Sequence, residues 1–114
     1  MVVAVVDDLM FTSKIRAAAT GVGARVTFAR SRDAALAAVR EHQPALIIFD
    51  LDNPRTDPVG TIAALKADAA TSGVRTLAYV SHVHADLIEA ARSAGVDEVL
   101  ARSAFTQRLP ELLK

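Results

Sequence analysis

Three stretches of the chain are apolar almost without interruption: Val2 to Val6, Ala45 to Phe49 and Thr76 to Val80. A short run that is apolar on both alternating faces predicts a strand buried on both sides, as in a parallel sheet covered by helices. Each run closes on polar residues: Asp7-Asp8 after the first, Asp50-Leu51-Asp52-Asn53-Pro54 after the second, Ser81-His82 after the third. Pro54 and its polar neighbours end the second strand and begin a loop. Arg25 to Ala29 alternates, with Val26 and Phe28 on one side, and Glu98 to Ala101 is short and weakly apolar. These two read as edge strands, the first with one solvated face.

Between the strands the apolar spacing becomes helical. Phe11, Ile15, Ala18 and Val22 fall on one face, with Gly21 and Gly23 as the stop. Ser31 is an N-cap for a helix carrying Ala35, Leu36 and Val39 and ending near Gln43-Pro44. Asp57-Pro58 is an N-cap followed by proline at the first helical position; Ile62, Leu65 and Ala69 continue that stripe to a stop at Gly73. Asp86 to Ala94 forms a helix with Leu87, Ile88 and Ala91 inward and Gly95 at its C-terminal end. Ser103 caps a last helix carrying Phe105, Leu109 and Leu112, in which Pro110 predicts a kink or two short pieces.

Five alternating βα units with right-handed crossovers predict one domain over residues 1–114, a three-layer, doubly wound parallel sheet. With strands 1, 3 and 4 central and strands 2 and 5 at the edges, the order is 2-1-3-4-5, that of a flavodoxin-like (βα)5 fold. The order reverses between strands 1 and 3, where open α/β sheets bind ligands. Asp7, Asp8, Asp50 and Asp52 all arrive there. Carboxylates gathered at one sheet edge repel unless a cation or protons intervene. Magnesium uses one or two carboxylates with waters and a phosphate oxygen, and a carboxylate can itself be a nucleophile that carries a phosphoryl group. Against this stands the plainer reading that strand-end aspartates simply favour turns and water.

Composition narrows the classes. The 114 residues are 52% hydrophobic but only 4% aromatic, so the core is built from Val, Leu, Ile and Ala. Without cysteine there are no disulfides or thiolate metal sites. The 13 basic and 13 acidic residues balance, and no basic cluster offers a footprint for nucleic acid. No apolar run is long enough to cross a membrane, and the Met1-Val2 start lacks a basic signal-peptide region, so a cytoplasmic domain is expected. Arg25, Arg30 and Arg32 read as a solvated basic strip, and Phe11, Phe28 and Phe105 as core.

Val5-Val6-Asp7-Asp8, Asp50 four residues before Pro54, Ser81 after the third apolar run, and Gly95-Val96-Asp97-Glu98-Val99-Leu100 together resemble the response-regulator receiver domains of two-component signalling, over nearly the whole chain. The resemblance implies that Asp50 is the phosphoacceptor. It implies that Asp7, Asp8, Asp50 and the backbone carbonyl of Asp52 hold Mg2+. Ser81 and Arg102 would contact the phosphoryl group, which a sensor histidine kinase or phosphotransfer protein supplies and a downstream protein target reads. Such a module is not an enzyme. The chain also departs from the pattern: Arg102 stands where the family has lysine, and Ser103 where it has the following proline. His82 stands where a small residue admits the phosphodonor, and Val99 where an aromatic residue swings on activation. An arginine fork does not replace a compact ammonium in a tight site.

These departures motivate an alternative, a phosphorylation-independent pseudo-receiver that acts as a protein-interaction module. A small magnesium-dependent phosphatase is weaker, because no substrate lid or pocket is visible. His82 and His84 could ligate a metal with Asp50, or His82 could move a proton and modulate the site; a loop histidine beside acids is more often a hydrogen-bonding partner. Arg102 reads as a salt-bridge partner of the acidic cluster. With no output domain before Lys114, the chain is expected to act alone or to be part of a longer protein.

Overall fold

The computed structural model describes residues 1–81 and 83–114; the expectations for His82 lie outside the described residues. In chain order the elements are β1 (Val2–Val5), α1 (Leu9–Val22), β2 (Val26–Ala29), α2 (Arg32–His42), β3 (Leu46–Asp50), α3 (Pro58–Ala67), β4 (Arg75–Val80), α4 (Ala85–Ala94), β5 (Glu98–Ala101) and α5 (Arg102–Leu113), with a single 3-10 turn at Pro54–Thr56. The five strands pair in parallel in the order β2-β1-β3-β4-β5, as the apolar pattern predicts.

Strand alternation divides the core into two layers. Val2, Ala4, Val6, Leu46, Ile48, Leu77 and Tyr79 face α1 and α5, where they meet Phe11, Ile15, Phe105 and Leu109. Val3, Val5, Ile47, Phe49, Ala78 and Val80 face the other way, onto Ala35 and Val39 of α2, Ile62 and Leu65 of α3 and Ala91 of α4. Each Val, Leu, Ile or Phe among them contributes about 1.5–3 kcal/mol when fully buried, an alanine methyl about 0.8 kcal/mol. Helices of 10 to 14 residues are marginal in water on their own, so this packing is what holds them. The edge strands β2 and β5 are only partly buried over most of their length.

Side-chain caps fix where three helices start. Asp8 Oδ1 accepts the N–H groups of Met10 and Phe11, Ser31 Oγ that of Ala34, and Asp57 Oδ1 that of Gly60. Gly95, at φ 106°, closes α4 in a conformation that residues with a Cβ rarely adopt.

Three local expectations are corrected. Ser103 does not cap α5: the helix begins at Arg102, its N-cap is Ala101, and no side chain caps it. Pro110 does not divide α5, which runs unbroken to Leu113; Leu109 and Leu113, buried on either side of the proline, hold the last turn against the core. The third helix stops at Ala67, leaving Ala69 exposed and outside it and Gly73 in a later turn. There the Thr71 hydroxyl donates to the Leu65 carbonyl at 2.7 Å and Asp68 Oδ1 accepts the Ala70 N–H at 2.9 Å. Those local bonds replace the next helical ones.

Among the described residues no helix is long and apolar enough to cross a membrane.

Candidate functional site

The C-terminal ends of β1 and β3 open, beside Arg102, into a cleft of about 370 Å³ lined by Asp7, Asp8, Asp50, Asp52, Asn53, Pro54, Arg55 and Arg102. All four predicted aspartates therefore reach the same cleft, from two strands on either side of the reversal in strand order. Their surroundings differ.

Asp50 is the last residue of β3 and is 3% exposed. Its Oδ1 accepts the N–H of Asp52 at 2.9 Å. Burial raises its pKa above the usual carboxylate value, the Asp52 N–H opposes that, the Asp52 and Asp8 charges add to it, and the Arg102 charge works against it. Directly across the sheet, Tyr79 of β4 is paired with Asp50 in register. The Tyr79 ring packs against both Phe11 and Phe105, with centroids 4.8 and 4.4 Å away, and those two rings also meet each other at 6.3 Å. Its hydroxyl has no partner among the described residues, and its pKa is raised first by burial and then by the charges of Asp50 and Asp8.

Asp8 divides its role, since Oδ1 is engaged with the start of α1. Asp7 lies within ion-pair range of two exposed arginines, Arg30 at 3.7 Å and Arg55 at 3.6 Å. Arg32 approaches Asp57 at 3.5 Å, so the basic strip is solvated but not free of partners. Contacts of this kind between mobile, exposed side chains are weak.

Asp52 is the most heavily engaged of the four. Its Oδ2 accepts the Ser81 N–H at 3.0 Å and Arg102 Nη2 at 2.9 Å, and His84 Nε2 lies 3.5 Å from Oδ1. Arg102 is the salt-bridge partner expected for the acidic cluster, and the member it pairs with is Asp52. Its guanidinium also lies over the Phe11 ring, 5.1 Å from the centroid. A planar fork can lie over an aromatic face and reach a carboxylate with its outer N–H groups at the same time. His84 likewise stands against Asp52.

The donor chemistry of the cleft suits a hard divalent cation: every ligand it offers is oxygen, and the carboxylates repel one another without one. Among the described residues no three Asp, Glu or His side chains converge closely enough to hold a metal by themselves. A magnesium-type shell built from one or two carboxylates, a carbonyl and waters does not require that.

Residues outside the sequence-level reading complete the site. Arg55 and Arg30 reach Asp7, and the side chain of Asp52, expected to offer only its carbonyl, links Ser81 to Arg102. No local pattern in the sequence signals that link, since Asp52 lies 29 residues from Ser81 and 50 from Arg102. A second groove of about 630 Å³ adjoins the cleft across Arg102, between the starts of α1 and α5; Met10, Phe11, Ser81 and Ser103 help line it. Leu9 and Met10, at the start of α1, are 72% and 63% exposed.

No protein-family model and no curated protein matches the chain. Solved structures do. A response regulator from Hahella chejuensis superposes with a TM-score of 0.85 at 20% identity, covering 98% of this chain and 90% of that one. The phosphorylated cyanobacterial phytochrome response regulator RcpA gives 0.82 at 22% identity, over 99% and 87%. The receiver domain of a sensor histidine kinase from Pseudomonas aeruginosa, with a magnesium ion coordinated in its active-site cleft, gives 0.81 at 21%, over 98% and 94%. The chain has the fold of response-regulator receiver domains.

Proposed function

We propose that this protein is a phosphoaccepting receiver module, in which Asp50 takes a phosphoryl group from a sensor histidine kinase or phosphotransfer protein and the domain signals by contact with a downstream protein. The observation that carries the reading is Asp50 itself. It is a nearly buried carboxylate at the end of a central strand, in a cleft lined by three other aspartates and Arg102, on a fold shared with receiver domains. One Asp50 oxygen is held by the Asp52 N–H, which leaves the other as the nucleophile. That oxygen attacks phosphorus, the P–N bond to the donor imidazole breaks, and the imidazole takes a proton from solvent. An acyl phosphate remains on Asp50.

Asp7, Asp8, Asp50 and the Asp52 carbonyl would hold Mg2+, as the all-oxygen donor set supports. When bound, the cation offsets charge on the phosphoryl group during transfer. Ser81 and Arg102 would receive the phosphoryl oxygens. The exposed Leu9 and Met10, beside the groove between α1 and α5, offer apolar area to a protein partner. The reading is of a cytoplasmic signalling module, without nucleic-acid or membrane binding and without a turnover reaction of its own.

One observation favours a second reading. The Arg102–Asp52 pair occupies the donors that a phosphoryl group would use, as in a pseudo-receiver that works by protein contact alone. Intact-mass measurement after incubation with acetyl phosphate and Mg2+ separates the two. A receiver gains one phosphoryl increment, lost in Asp50→Asn; a chain that gains none is the pseudo-receiver.

A further inference from the structure

Two residues assigned to the phosphoryl group by the reading above converge on one atom, Asp52 Oδ2, which accepts the Ser81 backbone N–H at 3.0 Å and Arg102 Nη2 at 2.9 Å. The Asp52 side chain is 15% exposed, and Arg102 is backed by the Phe11 ring. An N–H that donates to Asp52 is not available to a second anion, and the guanidinium is drawn to the same carboxylate. Asp52 is also tied to the acceptor, because its own N–H donates to Asp50 Oδ1 at 2.9 Å. A carboxylate placed on these donors is an anion supplied by the chain itself.

From this geometry we infer that Asp52 is an autoinhibitory latch: its side chain occupies the Ser81 backbone N–H and the Arg102 guanidinium in the resting state, and a phosphoryl group on Asp50 must displace it to be fully held. The inference rests on the phosphoacceptor reading of Asp50 and adds what regulates that site. It concerns the Asp52 side chain only, so the carbonyl expected to face the cation is unaffected by substitution there. It also gives the arginine at position 102 a use: its fork reaches Asp52 while stacked on Phe11, so the departure from lysine belongs to the latch.

The test is binding of beryllofluoride, a phosphoryl mimic, in Mg2+, followed by amide and fluorine NMR. It compares the parent chain with Asp52→Asn, Asp52→Ala, Arg102→Gln and the Asp52→Asn/Arg102→Gln double variant. Both Asp52 variants are expected to bind about tenfold tighter than the parent, the scale of one released charge-assisted hydrogen bond. In the Arg102→Gln background that gain should shrink by at least about half, because the ion pair no longer exists to be released and only the Ser81 N–H remains held. Equal or weaker binding by the Asp52 variants, with the parent still binding, overturns the latch and leaves the phosphoacceptor reading standing. A full gain that persists without Arg102 also overturns it, since bulk charge repulsion would then be the cause. Binding by no variant overturns both readings together.

Discussion

The two ends of β4 each hold an aspartate against donors, and they are built to opposite effect. At the N-terminal end, Asp97 Oδ2 accepts the Thr76 N–H at 2.8 Å, the Thr76 hydroxyl at 3.0 Å and Lys66 Nζ at 3.1 Å. The Asp97 N–H returns a bond to the Thr76 hydroxyl. Burial is the largest single influence on the Asp97 pKa and raises it, but the hydrogen bonds from Thr76 and Lys66 and the Lys66 charge together outweigh it and hold the carboxyl below its usual value. At the C-terminal end, Asp50 has one backbone donor and a raised pKa. Asp52 Oδ1, Arg102 Nε and the Tyr79 hydroxyl are buried without hydrogen-bond partners among the described residues, and Asp52 Oδ1 has only the looser approach of His84. A polar cluster that only holds strands and helices together satisfies its own groups. One that leaves donors and acceptors open, with like charges adjacent, carries a cost that a ligand can relieve.

The comparison breaks first at Asp97. Asp97→Ala leaves the Thr76 N–H without its acceptor and Lys66 without its counter-charge, though Lys66 keeps the Ser72 and Val74 carbonyls, and should cost about 2 kcal/mol at neutral pH, read from urea unfolding. Because the folded Asp97 pKa is depressed, its contribution is present above the unfolded value and is lost as pH falls through the folded one. The difference between variant and parent should therefore narrow in acid. A loss below about 0.5 kcal/mol would mean that this end is no better satisfied than the other.

Asp50→Asn should act in the reverse sense. It should raise stability at neutral pH by on the order of 1 kcal/mol, roughly 4 °C in Tm for a domain of this size. The folded Asp50 pKa is raised, so the stability tied to its neutral form is complete below the ordinary value of 3.8 and is lost as pH rises through the folded pKa. Asparagine keeps the neutral form at every pH, and the gain should vanish in acid, where Asp50 is protonated anyway. A destabilised or unfolded Asp50→Asn would make Asp50 a structural residue like Asp97. The smallest effect is expected at Tyr79→Phe, which removes a buried hydroxyl without a partner among the described residues and keeps the stack with Phe11 and Phe105. A gain of about 0.5 kcal/mol is expected; a loss of that size would show that the hydroxyl has a partner in solution.

The contrast between the two ends of β4 was only half visible in the sequence. Strand order and the arrival of Asp7, Asp8, Asp50 and Asp52 at one edge followed from where apolar runs stop, because a doubly buried strand must end in polar residues at the sheet's rim. Which donor meets which carboxylate did not follow, since a shift of a few ångströms moves Arg102 from Asp50 to Asp52. The Asp97–Thr76–Lys66 cluster was missed for a related reason: its members come from three elements, and none stands out in a local pattern. The end of α3 and the intact α5 were misread because one tertiary contact decided each, the Thr71 hydroxyl on Leu65 and the burial of Leu109 and Leu113 around Pro110.

The most direct test of the account is an amide NMR titration with Mg2+ and then beryllofluoride, read at both ends of β4. The account predicts shifts at Asp50, Asp52, Ser81 and Arg102, silence at Thr76 and Asp97, and loss of the beryllofluoride response in Asp50→Asn. A chain that answers neither addition, or whose response survives in Asp50→Asn, would contradict the claim that the C-terminal end of the sheet is a phosphoryl-binding site.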